Sequence, residues 1–302
     1  MTTTTCEPLS TNDLYALCCD RLPKIYDHYL ARTPSETLQE AMSSILQYKG
    51  KLVRPMLIYA SGLCFDAPLA HLDLPASAVE MIHTYSLIHD DLPCMDDADF
   101  RRGKPTLHRV YNEAIAVLTG DALHTLSMQI LATHPATLSS TQRIRMIDTL
   151  ATACGPFGMA AGQTFDITVM HDQAIASDML LDIYRLKTGA LFTACLELGY
   201  HASNDQDPRN RETLVRFGDH IGLAFQIQDD ILDIESNATT LGKPQGLDAR
   251  NEKVTYPKLV GLIEAKSVIN KHYQQALAAI AHLGDKAKGL CDLTAYLLGR
   301  NK

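Results

Sequence analysis

Five aspartates, Asp90, Asp91, Asp96, Asp97 and Asp99, stand within ten residues of the segment IHTYSLIHDDLPCMDDADFRRG, which spans 82–103, and no base separates them. Two carboxylates about 6 Å apart repel by roughly 3 kcal/mol at an effective dielectric of about 20, and by under about 1 kcal/mol in open water. A fold can carry such a cluster only where it is solvated or where a cation holds it. The preceding residues set the backbone. Ala78, Met81, Ile82, Tyr85 and Ile88 recur at helical spacing, Pro75 suits a first helical turn, and Pro93 drives Leu92 out of the α region, so the pattern predicts a helix ending near Asp91. Asp90 and Asp91 then sit in its last turn, where the helix dipole disfavours anions, and capping does not explain them. At about 100° per residue, His83, Ser86, Leu87 and Asp90 share one stripe, while Met81, Ile82, Tyr85 and Ile88 lie opposite.

A second acidic stripe follows about 140 residues later. In RETLVRFGDHIGLAFQIQDDILDIES, Leu214, Ile221, Phe225 and Leu232 step by seven, four and seven along one helix face. Gln226, Asp229, Asp230 and Asp233 project within a stripe about 100° wide. The apolar flanks AFQI and ILDI argue against a merely solvated face. Between the stripes the pattern stays helical, with almost no strand-like alternation. A helix is expected from about Thr11 to Thr33 with a bend at Pro23, another opens with Pro55 as its first residue, and a third resumes at Leu107. From Thr141 to Val169 the small residues of GPFGMAAGQ let two helices approach closely, with Gln163 and Asp166 as polar exceptions. The segment 177–200 carries Lys187, Thr188 and Gly189 at its centre; a mid-helix glycine costs about 1 kcal/mol against alanine, which implies a close approach to the backbone there.

With 302 residues, 46% of them hydrophobic, the chain can bury a large core, and no linker divides it. One domain over 1–302 is expected, with residues 1–10 frayed. A net charge of −8 without a Lys/Arg run argues against nucleic acid or an anionic membrane as partner, and no apolar run is as long as the ~20 residues that span a bilayer. Eight cysteines without a C-x-x-C pair, after a polar start, read as a reduced, cytoplasmic protein.

Two oxygen-only acidic clusters near helix C-terminal ends favour magnesium. An EF-hand loop begun at Asp97 would put Arg102 where glycine belongs and His108 where the bidentate glutamate belongs, and zinc spacings are absent. There is no G-x-x-x-x-G-K-[ST] and no G-x-G-x-x-G. What remains is a metal-bound phosphate ester assisted by Lys51, Arg54, Arg101, Arg102, Lys187 and Lys243, the first two beside a helix N-terminus. A diphosphate held so becomes a leaving group.

These residues resemble the trans-prenyltransferases, most closely the bacterial-type farnesyl diphosphate synthases, over nearly the whole chain. GKLVRP is similar to the family's GKxxRP, and IHDDLPCMDDADFRRG to its first aspartate-rich motif with the bacterial two-residue insertion; GQTFD, KTG, FQIQDDILD and LGKPQGLD follow in order. The departures are Leu52, where bacterial members often carry arginine, and Asn251-Glu252 before Lys253, where Gly-Lys is usual. The resemblance implies an all-α isoprenoid synthase fold, a helical bundle around a deep central cavity, working as a homodimer. It implies magnesium (Mg2+) at Asp90, Asp91, Asp96, Asp229, Asp230 and Asp233. Lys51, Arg54, His83 and Arg102 would hold isopentenyl diphosphate, and Arg101, Lys187 and Lys243 an allylic diphosphate, dimethylallyl or geranyl, with Lys253 and Gln226 in the substrate-binding set. Thr188 and Gln226 would turn dipoles toward the cation formed on ionisation. A geranyl or geranylgeranyl synthase would share every motif, and a non-catalytic regulatory subunit should have lost aspartates or bases that this chain keeps.

Product length is expected to depend on Tyr85, the fifth residue before Asp90, which five residues of helix place about 7.5 Å deeper than the metals. Ser86 shares the aspartate face but is too small to block, so the tyrosine ring would have to reach around the helix edge.

Overall fold

The computed structural model describes residues 9–47, 50–133, 137–169, 174–239 and 254–299; residues 1–8, Lys243 and Lys253 lie outside the described residues. The first helix, α1 (Thr11–Leu30), opens with a capping box: the Ser10 hydroxyl accepts from the Asp13 amide, and the Asp13 carboxylate accepts from the Ser10 amide. Its Leu14, Cys18, Leu22, Tyr26 and Leu30 recur every four residues and are buried, while Pro23 stays on the exposed side without ending the helix. After α2 (Glu36–Leu46) come α3 (Val53–Cys64) and α4 (Leu69–Asp90). A two-stranded hairpin, β1 (Phe100–Arg101) and β2 (Lys104–Pro105), leads into α5 (Leu107–Val110), α6 (Glu113–Thr133), α7 (Ser140–Cys154) and α8 (Met159–Val169). Then α9 (Ser177–Tyr184) runs through a π-helical turn, Arg185–Gly189, into α10 (Ala190–His201). The long α11 (Pro208–Thr239) follows, and α12 (Tyr256–Val260), α13 (Leu262–Ile280) and α14 (Lys288–Leu298) close the order.

Three helices form the centre. Every residue of α3 from Pro55 to Gly62, of α4 from Leu74 to Ile82 and of α10 from Ala194 to His201 is buried, as expected of helices enclosed on all sides. Full burial of side chains such as Leu57, Ile58, Met81 and Ile82 stabilises by about 1.5–3 kcal/mol each. The α3–α10 crossing needs Gly199, where a Cβ would fall 2.5 Å from the Ile58 carbonyl oxygen. A second, smaller core joins Leu180 and Tyr184 of α9, Leu223 and Ile227 of α11, Tyr256 and Ile269.

The predicted all-α class holds, with local differences. Pro55 is the third residue of α3, not the first, because Leu52 adopts a left-handed φ of 48° and starts the helix earlier. Pro75 lies inside α4, which begins after Pro68; one lost amide bond is outweighed by burial around it. The hairpin had no alternating pattern to announce it. Its turn rests on positive φ at Arg102 and Gly103, 51° and 75°, the geometry tight hairpins favour. The helix expected from Leu107 breaks at Tyr111, and α6 restarts where the Asn112 side chain accepts from the Ile115 amide. Among the described residues α6 alone is long and apolar enough to cross a membrane by length and composition, with a mean hydropathy of 1.3. This corrects the expectation of no such run. Its Ala116, Leu123 and Ile130 join the central core.

Candidate active site

Asp90 closes α4, and the chain after it folds back on itself. The amides of Asp96 and Ala98 donate to the carbonyls of Asp90 and Asp91 at 2.9 and 3.1 Å, and the Thr106 hydroxyl donates to the Ala98 carbonyl at 2.7 Å. Asp97 turns the corner with φ 48°. Arg101 is clamped on buried Asp91, its Nε 2.9 Å from both carboxylate oxygens. Burial lifts the Asp91 carboxyl and the Arg101 guanidinium opposes that lift. Asp96 is thereby held near Asp90 by backbone.

The Asp90 carboxylate accepts from Gln163 Nε2 of α8 at 2.9 Å. Burial lifts this carboxyl to about 6; Lys187 and Arg101 oppose the lift, and Asp96 and Asp166 add to it. One turn along α8, buried Asp166 pairs with Lys187 Nζ at 2.7 Å. Lys187 sits in the π-helical turn beside Thr188, whose hydroxyl donates to Gln226 Oε1 at 2.7 Å, and Gln226 Nε2 donates to Asp230 at 3.2 Å. The two polar exceptions of α8 thus tie the first acidic stripe to the second. The close approach expected at Gly189 also exists: Gly222 of α11 lies against it, with a Cβ there only 2.7 Å from the Gly189 Cα, and Gly162 of α8 lies against Lys187.

Asp230 is buried, and the Tyr184 hydroxyl donates to its other oxygen. Of the six aspartates expected at metal, Asp91 and Asp230 therefore have carboxylates already engaged from behind; Asp90, Asp96 and Asp229 are half-buried and Asp233 is exposed. Among the described residues no three His, Cys, Asp or Glu converge into a closed metal centre. The donor set nevertheless fits a hard cation. Asp90 is charged only against its burial, buried Gln163 Oε1 beside it has no hydrogen-bond partner among the described residues, and magnesium is ordinarily held by one or two carboxylates completed by phosphate oxygens.

The basic residues gather at the start of α3. No side chain caps this helix, so its first amides stand beside Lys51 and Arg54. Arg54 lies over the Phe192 ring, 5.3 Å from its centroid. Arg102 reaches back to Gly50, where a Cβ would meet its guanidinium carbon at 2.8 Å. His83 faces the same cluster, and burial, with Arg54, Arg102 and Arg101, pushes its imidazole well below its usual range, so it is neutral at pH 7.

Tyr85 is half-buried rather than packed wholly into the apolar stripe. Its ring meets the edges of His124, at 5.0 Å, and His89, at 5.7 Å, across the α4–α6 contact. Ser86 donates to the His83 carbonyl at 2.9 Å. Tyr184 and Phe192 are site residues that sequence reasoning missed, because nothing in their spacing distinguishes them from core aromatics.

The polyprenyl synthetase family matches residues 35–288 of this chain. A farnesyl diphosphate synthase of Haemophilus influenzae is 46% identical over 244 residues, 80% of this chain and 82% of that protein. That of Escherichia coli is 40% identical over 291 residues, 94% of this chain and 97% of its own length. The fold is similar to that of a geranyltransferase from Legionella pneumophila, with a TM-score of 0.84 at 33% identity, covering 96% of this chain and 98% of that one. By sequence and by fold, the chain belongs to the polyprenyl synthetase family, prenyltransferases that work on isoprenoid diphosphates with a divalent metal.

Proposed function

We propose that this chain joins isopentenyl diphosphate to dimethylallyl diphosphate, then to geranyl diphosphate, and releases farnesyl diphosphate, as a magnesium-dependent, cytoplasmic homodimer. The observation that carries the reading is the succession of polar contacts from Asp90 through Gln163, Asp166, Lys187, Thr188 and Gln226 to Asp230, which joins two acidic stripes remote in sequence. Asp90, Asp96 and Asp229 would hold the metal, with Asp233 at the rim, while Asp91 and Asp230 orient the stripes. Magnesium bound there would supply positive charge to the allylic diphosphate as its C–O bond breaks. Lys187 and Arg101 bind that diphosphate, and Lys243 is assigned the same task. The Thr188 and Gln226 dipoles face the allylic carbon as it becomes positive. Lys51, Arg54, Arg102 and neutral His83 orient the second diphosphate so that the isopentenyl double bond attacks that carbon, and the proton then lost goes to the released diphosphate.

Support for a reducing compartment comes from seven cysteines, all free thiols, four of them buried. A second copy is supported by exposed Val117 and Leu118 on α6, Ile144 on α7 and Phe157 just beyond it. The test is product length from isopentenyl and dimethylallyl diphosphates with magnesium. Farnesyl diphosphate is expected; geranylgeranyl diphosphate alone, or no product, would replace this reading with a longer-chain synthase or a regulatory subunit.

Arg54→Ala and Lys51→Ala are expected to raise KM for isopentenyl diphosphate about 10- to 100-fold, since a charge-assisted hydrogen bond contributes roughly 1.5–3 kcal/mol, with a smaller change for the allylic substrate. Steady-state kinetics with each substrate varied separately check this. An effect confined to the allylic substrate would exchange the two subsites. Tyr85→Ala should open the α4–α6 wall and lengthen the product beyond fifteen carbons. If chromatography still shows farnesyl diphosphate alone while stability falls by the ~3–5 kcal/mol of an aromatic core truncation, the ring is structural.

A further inference from the structure

Behind the basic cluster lies a buried polar pocket to which neither the metal nor the substrate assignments give a task. Glu80 of α4 is only 7% exposed, one turn before His83, and shares its stripe with Ser77, one turn earlier. The residues around it come from four helices. Cys18 and Tyr26 of α1, Arg54 of α3, Cys195 of α10 and Arg102 from the hairpin all exchange electrostatic influence with it. Three side-chain atoms in this neighbourhood are buried with no hydrogen-bond partner among the described residues: Tyr26 Oη, Ser77 Oγ and Arg54 Nε. A buried polar atom without a partner costs about as much as a lost hydrogen bond, so three around one carboxylate call for a cause.

A carboxylate among phosphate-binding cations is counterproductive for ligand affinity taken alone, because it repels the anion the cations attract. It is useful if it fixes a cation. Arg54 is the basic side chain most enclosed at this site: its guanidinium stacks on Phe192 and its Nε is sealed from solvent, so its forward-facing nitrogens depend on what lies behind. We propose that Glu80 is a positioning residue, the fixed counter-charge behind Arg54 that, with the Tyr26 and Ser77 hydroxyls, aims the guanidinium at the diphosphate of the homoallylic substrate. Glu80 touches neither substrate; it acts through Arg54. The inference rests on the assignment of Lys51, Arg54 and Arg102 to the isopentenyl subsite.

The test uses the full-length enzyme with magnesium and varies each substrate separately. Glu80→Gln, close in shape but neutral, should raise KM for isopentenyl diphosphate at least about fivefold, with KM for the allylic substrate within twofold of wild type. Glu80→Asp should restore part of the loss. In an Arg54→Ala background, Glu80→Gln should add nothing further, because the group it positions is gone. Tyr26→Phe and Ser77→Ala delete hydroxyls that a purely structural account counts as burdens, so that account expects unchanged KM and equal or higher thermal midpoints. Positioning expects a two- to threefold rise in the same KM, and these two variants decide the question if Glu80→Gln does not fold. Equal changes in both KM values, additivity with Arg54→Ala, or a lowered midpoint with unchanged KM would overturn the role of Glu80. If Arg54→Ala itself raises only the allylic KM, the subsite assignment fails instead, and the two failures are distinguished.

Discussion

Asp90→Ala, and likewise Asp229→Ala, is expected to leave a folded protein whose kcat at saturating magnesium is lower by about 10²–10³-fold, the loss typical of removing one group that stabilises charge developing in the transition state. The structure gives a reason to expect intact folding for Asp90. Burial lifts its carboxyl to about 6, above the usual carboxylate value, so the metal-free fold works against this charge. The sign follows from that direction. The unfolded chain releases the proton more readily than the folded one, so the metal-free protein loses stability as pH rises from about 4 to 6, and the alanine variant should lack that part of the decline. Thermal midpoints at pH 5 and pH 7 in chelator, together with steady-state turnover in magnesium, check both halves. Near-normal turnover in either variant would remove these aspartates from the metal assignment.

Gly162→Ala should damage fold and chemistry together. A Cβ there would fall 2.6 Å from the Lys187 Cα, and the backbone it meets cannot swing aside as a side-chain tip would. Overpacking of this kind costs about 1–3 kcal/mol, or a drop of roughly 2–4 °C in Tm per kcal/mol for a chain of this class. It also pushes the π-helical turn away from Asp166, so kcat should fall at least about tenfold. Gly289→Ala is the matched control, since its Cβ would find nothing nearer than the Leu9 carbonyl at 3.6 Å. Equal Tm and kcat in the two variants would mean that the α8 contact does not hold Lys187.

Helical class and the two acidic stripes were legible because periodicity is local: Met81, Ile82 and Ile88 are buried while His83, Ser86 and Asp90 stay partly open, as a 3.6-residue period requires. Gln163 and Asp166 were legible as polar residues among small ones. Their partners, Asp90 and Lys187, were not, because those contacts span 73 and 21 residues and depend on how helices cross. The Leu52 and Asp97 turns were equally hidden, since neither residue type announces a left-handed backbone. Tyr184 was hidden for another reason: a tyrosine on a buried helix face looks the same whether its hydroxyl meets a carboxylate or a core edge.

The loop from Leu92 to Thr106 carries Asp96, and it is a closed ring rather than a tether: its backbone bonds return to Asp90 and Asp91, and Arg101 locks it to α4. The conformational freedom of this stretch is therefore surrendered when the chain folds, not when a ligand arrives. Ordering a loop at the moment of binding would set an entropic toll that grows with temperature. In this protein the first aspartate cluster meets each incoming allylic diphosphate already shaped, so heating should weaken that encounter little until the ring itself melts.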